Sequence, residues 1–318
     1  MRHSRNDGFA LITVLGVLAV LTTIVLSFGH RAVLERRAAA ISVDRTQVLY
    51  LARGAAMRAS VELRNKNVVD MLRDQGERTA FDQRWYEPTD LFAGEAEIFA
   101  LGGAVETEGE ECYYQMLDAE SRVCINSAPE DLLTGLQAMS LSTVRKIMMR
   151  RETSFRNDPE SRPRAYLSLE EFRQMERIRD EEWYGSRGRP GLKDVITVFG
   201  DGRVNINTCS REVLEAIPGV SSEVIDKILE YRAGPDEELG TTDDRSFENM
   251  GEVAERAGVG AAVRTTLNRY CKVTSDYFTI TAVATQRQGA VRAQITATVL
   301  LGETSTQTLQ WREDLVGF

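Results

Sequence analysis

A chain of 318 residues is long enough for about two folded units with a sizeable interior. Its 42% hydrophobic and 27% charged content excludes fibrous, low-complexity and multi-span membrane classes for most of its length, and a formal charge of -9, from 48 acids against 39 bases, argues against general nucleic-acid binding. The two histidines, His3 and His30, both lie near the N-terminus, so the body of the chain has none for catalysis or zinc ligation, and Cys112, Cys124, Cys209 and Cys271 form no C-x-x-C pair.

A short polar segment, residues 1–8, runs into an uncharged apolar stretch from Phe9 to Phe28. At about 1.5 Å per residue that stretch covers roughly 30 Å, the thickness of a bilayer's hydrocarbon core. A cleaved secretory signal is one alternative, although its apolar core is normally about 7–15 residues long. A plain signal anchor is another. The Gly8–Phe9 junction resembles the leader and cleavage site of type IV prepilins, which implies removal of residues 1–8 by a prepilin peptidase and methylation of Phe9.

The helical pattern continues beyond the apolar stretch. No proline occurs before Pro88, and Leu34, Ile41, Val48, Leu51, Ala55, Ala59 and Leu63 draw one apolar stripe. A helix from Phe9 to a C-cap at Gly76 would be about 100 Å long. Residues 9–28 form its membrane half and residues 29–76 the rest, with the stripe serving as an interface to neighbouring helices or as ordinary core. Charge alone does not orient it, since Arg2 and Arg5 oppose Asp7 on one flank and Arg31, Arg36 and Arg37 oppose Glu35 on the other.

Glu97–Val105, Cys112–Leu117 and Arg122–Ile125 have strand composition, the last two joined by a turn over residues 118–121. Then comes a repeat. The segment from Glu120 aligns without a gap with the segment from Asp201, 81 residues on, through Arg151 and Arg232 respectively. Each copy reads as a short strand, an Asn followed by Ser127 or Thr208 as helix N-cap, and two helices; Glu130 would complete a capping box in the first. Short helical segments follow from Leu167 and from Phe247.

Ile217-Pro218-Gly219-Val220-Ser221 is close to a helix-hairpin-helix turn, where backbone amides and a helix N-terminus can meet phosphate. With Arg145, Lys146, Arg150 and Arg151 it makes a membrane-anchored DNA-binding protein the alternative function. Against this, Ser221 stands where a second glycine would allow close backbone approach, and the first copy carries Gln137 and Ala138 in place of Pro218 and Gly219. Eight carboxylates and no base lie between Glu87 and Glu111. A helical packing module with solvated arginines is the expected reading. After Arg232 an acidic loop offers Asp236, Glu237, Asp243 and Asp244 as oxygen ligands for Ca2+, without EF-hand spacing. Finally Tyr277–Leu301 alternates around residues 286–289 as a β-hairpin. The sheet, residues 77–125 and 273–318, is thus interrupted by an insertion, residues 126–272, with repeats near 120–151 and 201–232.

This ordered set resembles the minor pseudopilin K family of type II secretion. The carrying segments are Asp118–Asn126, with Cys124 in place of the family's first Asn, Asn205–Gly219, and Ser275-Asp276-Tyr277-Phe278 leading into the last strands. The resemblance covers essentially the whole chain. It implies an α+β, type IV pilin-like fold, a long N-terminal helix on an antiparallel sheet, with a large α-helical insertion containing two helix-hairpin-helix-like repeats. It also implies a single-pass inner-membrane protein with its C-terminal region in the periplasm. Its partners would be other minor pseudopilins, prepilin peptidase and the membrane, with no nucleic acid, no small-molecule substrate and no enzymatic activity. Related pseudopilins are known as calcium binders. Major pilins carry glutamate at the fifth mature position, here Thr13, where a carboxylate can neutralise a neighbour's amino terminus in lipid. Threonine cannot, which points to a subunit at the fibre tip.

An oxidising periplasm allows disulfides. Cys112 and Cys124 flank Asp118 at equal distances, so a regular hairpin would pair them and leave Cys209 with Cys271; four free thiols are the alternative.

Overall fold

The computed structural model describes residues 7–73, 111–157, 165–186, 188–237, 245–286, 290–302 and 305–316. Helix α1 runs unbroken from Asp7 to Arg73, as the absence of proline dictates. Its distal half lies on a four-stranded antiparallel sheet ordered β1-β6-β7-β8, built from β1 (Glu111–Asp118), β6 (Tyr277–Gln286), β7 (Val291–Leu301) and β8 (Thr306–Val316). The expected late hairpin is β6 on β7, with Gln286 opposite Val291, and β8 adds an edge strand that the sequence reading did not foresee. Alternation explains the packing: Phe278, Ile280, Ala282 and Ala284 on β6 and Ala293, Ile295, Ala297 and Val299 on β7 turn toward Val48, Ala52, Ala55, Ala56, Ala59 and Leu63 of α1. Small side chains on both faces let the helix approach the sheet closely.

The expected hairpin between the first strand and Arg122–Ile125 does not form. β1 pairs along its length with β6, and after a 3-10 turn at Ala119–Ser121 the chain enters β2 (Val123–Cys124), which pairs in parallel with β3 (Ile196–Thr197). Val123 and Ile125 belong to the core of the insertion, which therefore begins slightly earlier than residue 126. The strand expected at Glu97–Val105 and the C-cap expected at Gly76 lie outside the described residues.

Two copies of one unit make the insertion. The first holds β2, α2 (Glu130–Gly135), α3 (Leu141–Asn157), α4 (Leu169–Glu176), α5 (Asp180–Tyr184), α6 (Leu192–Val195) and β3; the second holds β4 (Val204–Asn205), α7 (Arg211–Glu215), α8 (Ser222–Ala233), α9 (Met250–Arg256), α10 (Ala261–Tyr270) and β5 (Cys271–Lys272). β4 pairs in parallel with β5 as β2 does with β3. The duplication reaches individual bonds. Asn126 Nδ2 donates to the carbonyls of Tyr166 and Val198 while its Oδ1 accepts from Tyr166 N–H; Asn207 does the same with Phe247 and Val273. Arg151 donates to the Ala128 carbonyl at 2.7 Å, and Arg232 to the Cys209 carbonyl at 2.7 Å. Ser168 caps α4 by accepting from Glu171 N–H, as Asn249 caps α9 by accepting from Glu252 N–H.

The copies meet at equivalent points. A Cβ on Gly135 would collide with the carbonyl oxygen of its counterpart Ala216, so glycine is required where the two backbones cross. The capping expectation fails in both copies for one reason: the helices start later, after Pro129 and Ser210. Ser127 instead donates to the Gly200 carbonyl, and Thr208 to Asp118.

Candidate functional site: the spine and its joint

From Leu11 to Phe28 the large apolar side chains of α1 are exposed on every side, and the helix is long and apolar enough to cross a membrane. Gly8 and Phe9 lie in its first turns and Thr13 within its apolar half; residues 1–6 of the expected leader lie outside the described residues.

Farther along, burial divides the helix. Val48, Ala55, Ala59 and Leu63 of the expected stripe are core beneath the sheet, and Leu49 and Leu51 pack partly against that core. Leu34, from the same stripe, stays exposed. A different face is left open: Val43, Tyr50, Met57 and Val61 are 47–63% exposed, with 43, 50 and 57 spaced by seven residues. Between Tyr50 and Met57, Arg53 makes a bidentate ion pair with Glu313 of β8 at 2.8 Å, which holds helix against strand.

The four-stranded sheet and the insertion join through a buried polar cluster. Asp118, at the end of β1, accepts from Glu120 N–H at 2.7 Å, Thr208 Oγ1 at 2.5 Å, Ser275 Oγ at 2.6 Å and Asn205 Nδ2 at 3.0 Å. Burial pushes its carboxyl above the ordinary range, and these donors oppose that shift. Glu120, fully enclosed, meets Lys272 Nζ at 2.6 Å and accepts from the backbone N–H groups of Asp201 and Asp276. Lys272 also faces Asp201 at 3.2 Å and Asp276 at 3.6 Å. Burial alone would lower the ammonium pKa, but the carboxylates around it hold it above its ordinary value. Both points where the chain passes between sheet and insertion, at Asp118–Glu120 and at Lys272–Asp276, therefore meet in one network. Sequence motifs mark Asp118 and Ser275 and suggest Thr208 as a helix cap, but no local pattern distinguishes Glu120 and Lys272 from surface residues.

Of the basic residues on α3, Arg150 and Arg151 are partly buried, whereas Arg145 and Lys146 are exposed. Arg151 donates to the Ile125 and Ala128 carbonyls, Arg150 lies over the Tyr166 ring and pairs with Glu171 at 3.5 Å, and Lys146 pairs with Glu176 at 3.5 Å. The expectation of solvated arginines is corrected for Arg150 and Arg151 and not for Arg145. Gly219 adopts φ 74° in the turn between α7 and α8. The open cavity of about 810 Å³ beside that turn is lined by Glu130, Asp131 and Glu215, with Arg269 as its base. Three carboxylates around the turn amides repel a phosphate.

Of the four expected calcium ligands, Asp236 and Glu237 are exposed at the end of α8, while Asp243 and Asp244 lie outside the described residues. Among the described residues no group of three or more His, Cys, Asp or Glu is placed to hold a metal. All four cysteines are thiols in this structure: Cys112 is half-buried beneath α1 near the Leu51 carbonyl, whereas Cys124, Cys209 and Cys271 are buried in the insertion. Cys112 stands opposite Ala284, so the expected pairing with Cys124 across a hairpin is lost with the hairpin.

No protein-family model and no curated protein matches the chain. Among solved structures, a chain of the crystal structure of the GspK-GspI-GspJ complex from the type 2 secretion system of enterotoxigenic Escherichia coli matches with a TM-score of 0.52 at 12% identity, over 88% of this chain and 99% of that chain. A long N-terminal helix, an antiparallel sheet and a helical insertion thus give this chain an α+β pilin-like fold, similar to that of the matched chain.

Proposed function

We propose that the chain is a minor pseudopilin of a type II secretion system, held in the inner membrane by residues 9–28 after removal of residues 1–8, with the sheet and insertion in the periplasm. The observation that carries this reading is α1 itself: one helix whose first half exposes apolar side chains all round and whose second half is the core partner of a sheet. Such a helix needs lipid at one end and leaves Val43, Tyr50, Met57 and Val61 for neighbouring helices at the other. The similar structure is a complex with GspI and GspJ; two further minor pseudopilins are accordingly proposed as partners here. Thr13 and the bulk of the insertion, which would obstruct addition of another subunit, support a place at the tip of the pseudopilus. The role is mechanical, without catalysis.

Co-purification of the membrane-extracted protein with the other minor pseudopilins of its host tests the reading. A stable complex is expected, lost on Met57→Asp or Tyr50→Asp. A chain that retains Met1 and binds none of them would overturn it. Calcium at the acidic loop is a separate proposal, resting on Asp236, Glu237, Asp243 and Asp244 as oxygen donors; a Ca2+ titration followed by calorimetry decides it, and no heat of binding removes it.

A further inference from the structure

We propose that Cys209 and Cys271 form a disulfide that closes the second repeat on itself where the chain returns to the pilin-like sheet. The proposal rests on the periplasmic placement of the insertion argued above, because that compartment supplies a disulfide-bearing oxidant. Two S–H bonds of this chain and the oxidant's S–S bond break while one S–S bond forms here; the two electrons and the two thiol protons pass to the oxidant, which leaves as a dithiol.

Position and burial single out this pair. Cys271 opens β5 directly opposite Val204 of β4, and Cys209 closes the turn that leaves β4, its N–H bonded to the Asn205 carbonyl at 2.9 Å. Both lie in one apolar core at 0% and 1% exposure, and Cys209 is near enough to add to the rise that burial imposes on the Cys271 thiol. The first repeat supplies the comparison. Its equivalents are Ala128, whose carbonyl Arg151 holds as Arg232 holds that of Cys209, and Ile196, opposite Val123 as Cys271 is opposite Val204. An apolar pair at these places suffices to build the fold, so packing does not account for two cysteines in the second copy. The remaining thiols serve as internal controls: Cys112 packs against the core under α1, and Cys124 lies on β2 of the first copy. Burial raises the Cys209 thiol to about 12, so thiolate attack is suppressed once the core has closed. The bond would therefore form during folding.

The full-length protein, extracted from its native membrane with an alkylating agent and no reductant, is digested with trypsin. Peptides Val204–Arg211 and Tyr270–Lys272 are expected to be linked, with Cys112 and Cys124 alkylated. Four alkylated cysteines in a chain whose head is digested from the periplasmic side would overturn the bond. A head accessible from the cytoplasmic side would overturn the placement instead, and a second arm then decides the bond: reduced full-length chain refolded in detergent with a glutathione redox buffer must yield the same linked peptides. Failure there refutes the geometry. The double variant Cys209→Ala with Cys271→Ile, copying the first repeat, should fold and melt about 5–15 °C below the oxidised protein, unaffected by reductant. Equal melting temperatures for oxidised wild type and double variant would count against the bond.

Discussion

Replacing Asn207 by Ala should unfold the insertion far more readily than an ordinary surface change, because one side chain satisfies three backbone groups. Its Nδ2 donates to the carbonyls of Phe247 and Val273 at 3.0 and 2.9 Å, and its Oδ1 accepts from Phe247 N–H at 2.8 Å. Asn207 is 1% exposed, so water does not replace these bonds readily. Leaving a buried polar group unpaired costs about 1–3 kcal/mol, which for three groups gives a loss of about 3–6 kcal/mol after partial relaxation. That is a large part of the ~5–15 kcal/mol that holds a typical domain folded. Asn126→Ala removes the equivalent three bonds in the first copy at a half-buried site, so its loss should be smaller. Urea unfolding of the full chain in detergent, followed by the fluorescence of the buried Trp183, gives both values from midpoints at unchanged slope. Losses under about 1 kcal/mol in both variants would refute the claim that these asparagines close the two repeats.

Gly135→Ala should destabilise the insertion by at least about 1–3 kcal/mol, since its Cβ meets the Ala216 carbonyl, whereas Ala216→Gly should cost less; equal effects would count against the close crossing of the two copies. At Asp118 burial raises the folded-state pKa, so the native protein holds this proton more tightly than the unfolded chain, and stability from this group is full below the ordinary value of 3.8 and falls as pH rises through the raised one. Stability of the wild type relative to Asp118→Asn, measured by urea titration, should therefore decline over that window, and a rise would reverse the assignment. N-terminal sequencing of the membrane-extracted protein should begin at methylated Phe9, and Gly8→Leu should retain residues 1–8; an intact Met1 in the native host would exclude prepilin processing. Tyr50→Asp and Met57→Asp should weaken assembly with other minor pseudopilins while leaving the free energy of unfolding within about 0.5 kcal/mol, as befits exposed positions.

Local chemistry made the helix, the late hairpin and the repeat legible in the sequence. An uninterrupted apolar run and the absence of proline determine α1 without reference to anything distant, and period-two alternation determines β6 and β7. The duplication could be read because sequence similarity at a fixed offset requires no knowledge of contacts. What β1 pairs with could not be read in this way. Cys112–Leu117 has strand composition, but its partner lies far along the chain on β6, and the short segment nearer in sequence, β2, goes to a parallel pair in the other unit. Local spacing favoured the hairpin because it takes no account of non-local partners. The same limit applies to Thr208, read as a helix cap and found instead on Asp118, and to the stripe of α1, whose division into core and open face depends on where the sheet ends. A side chain's residue type states which bonds it can make; only the tertiary structure decides which groups from distant parts of the chain are there to make them.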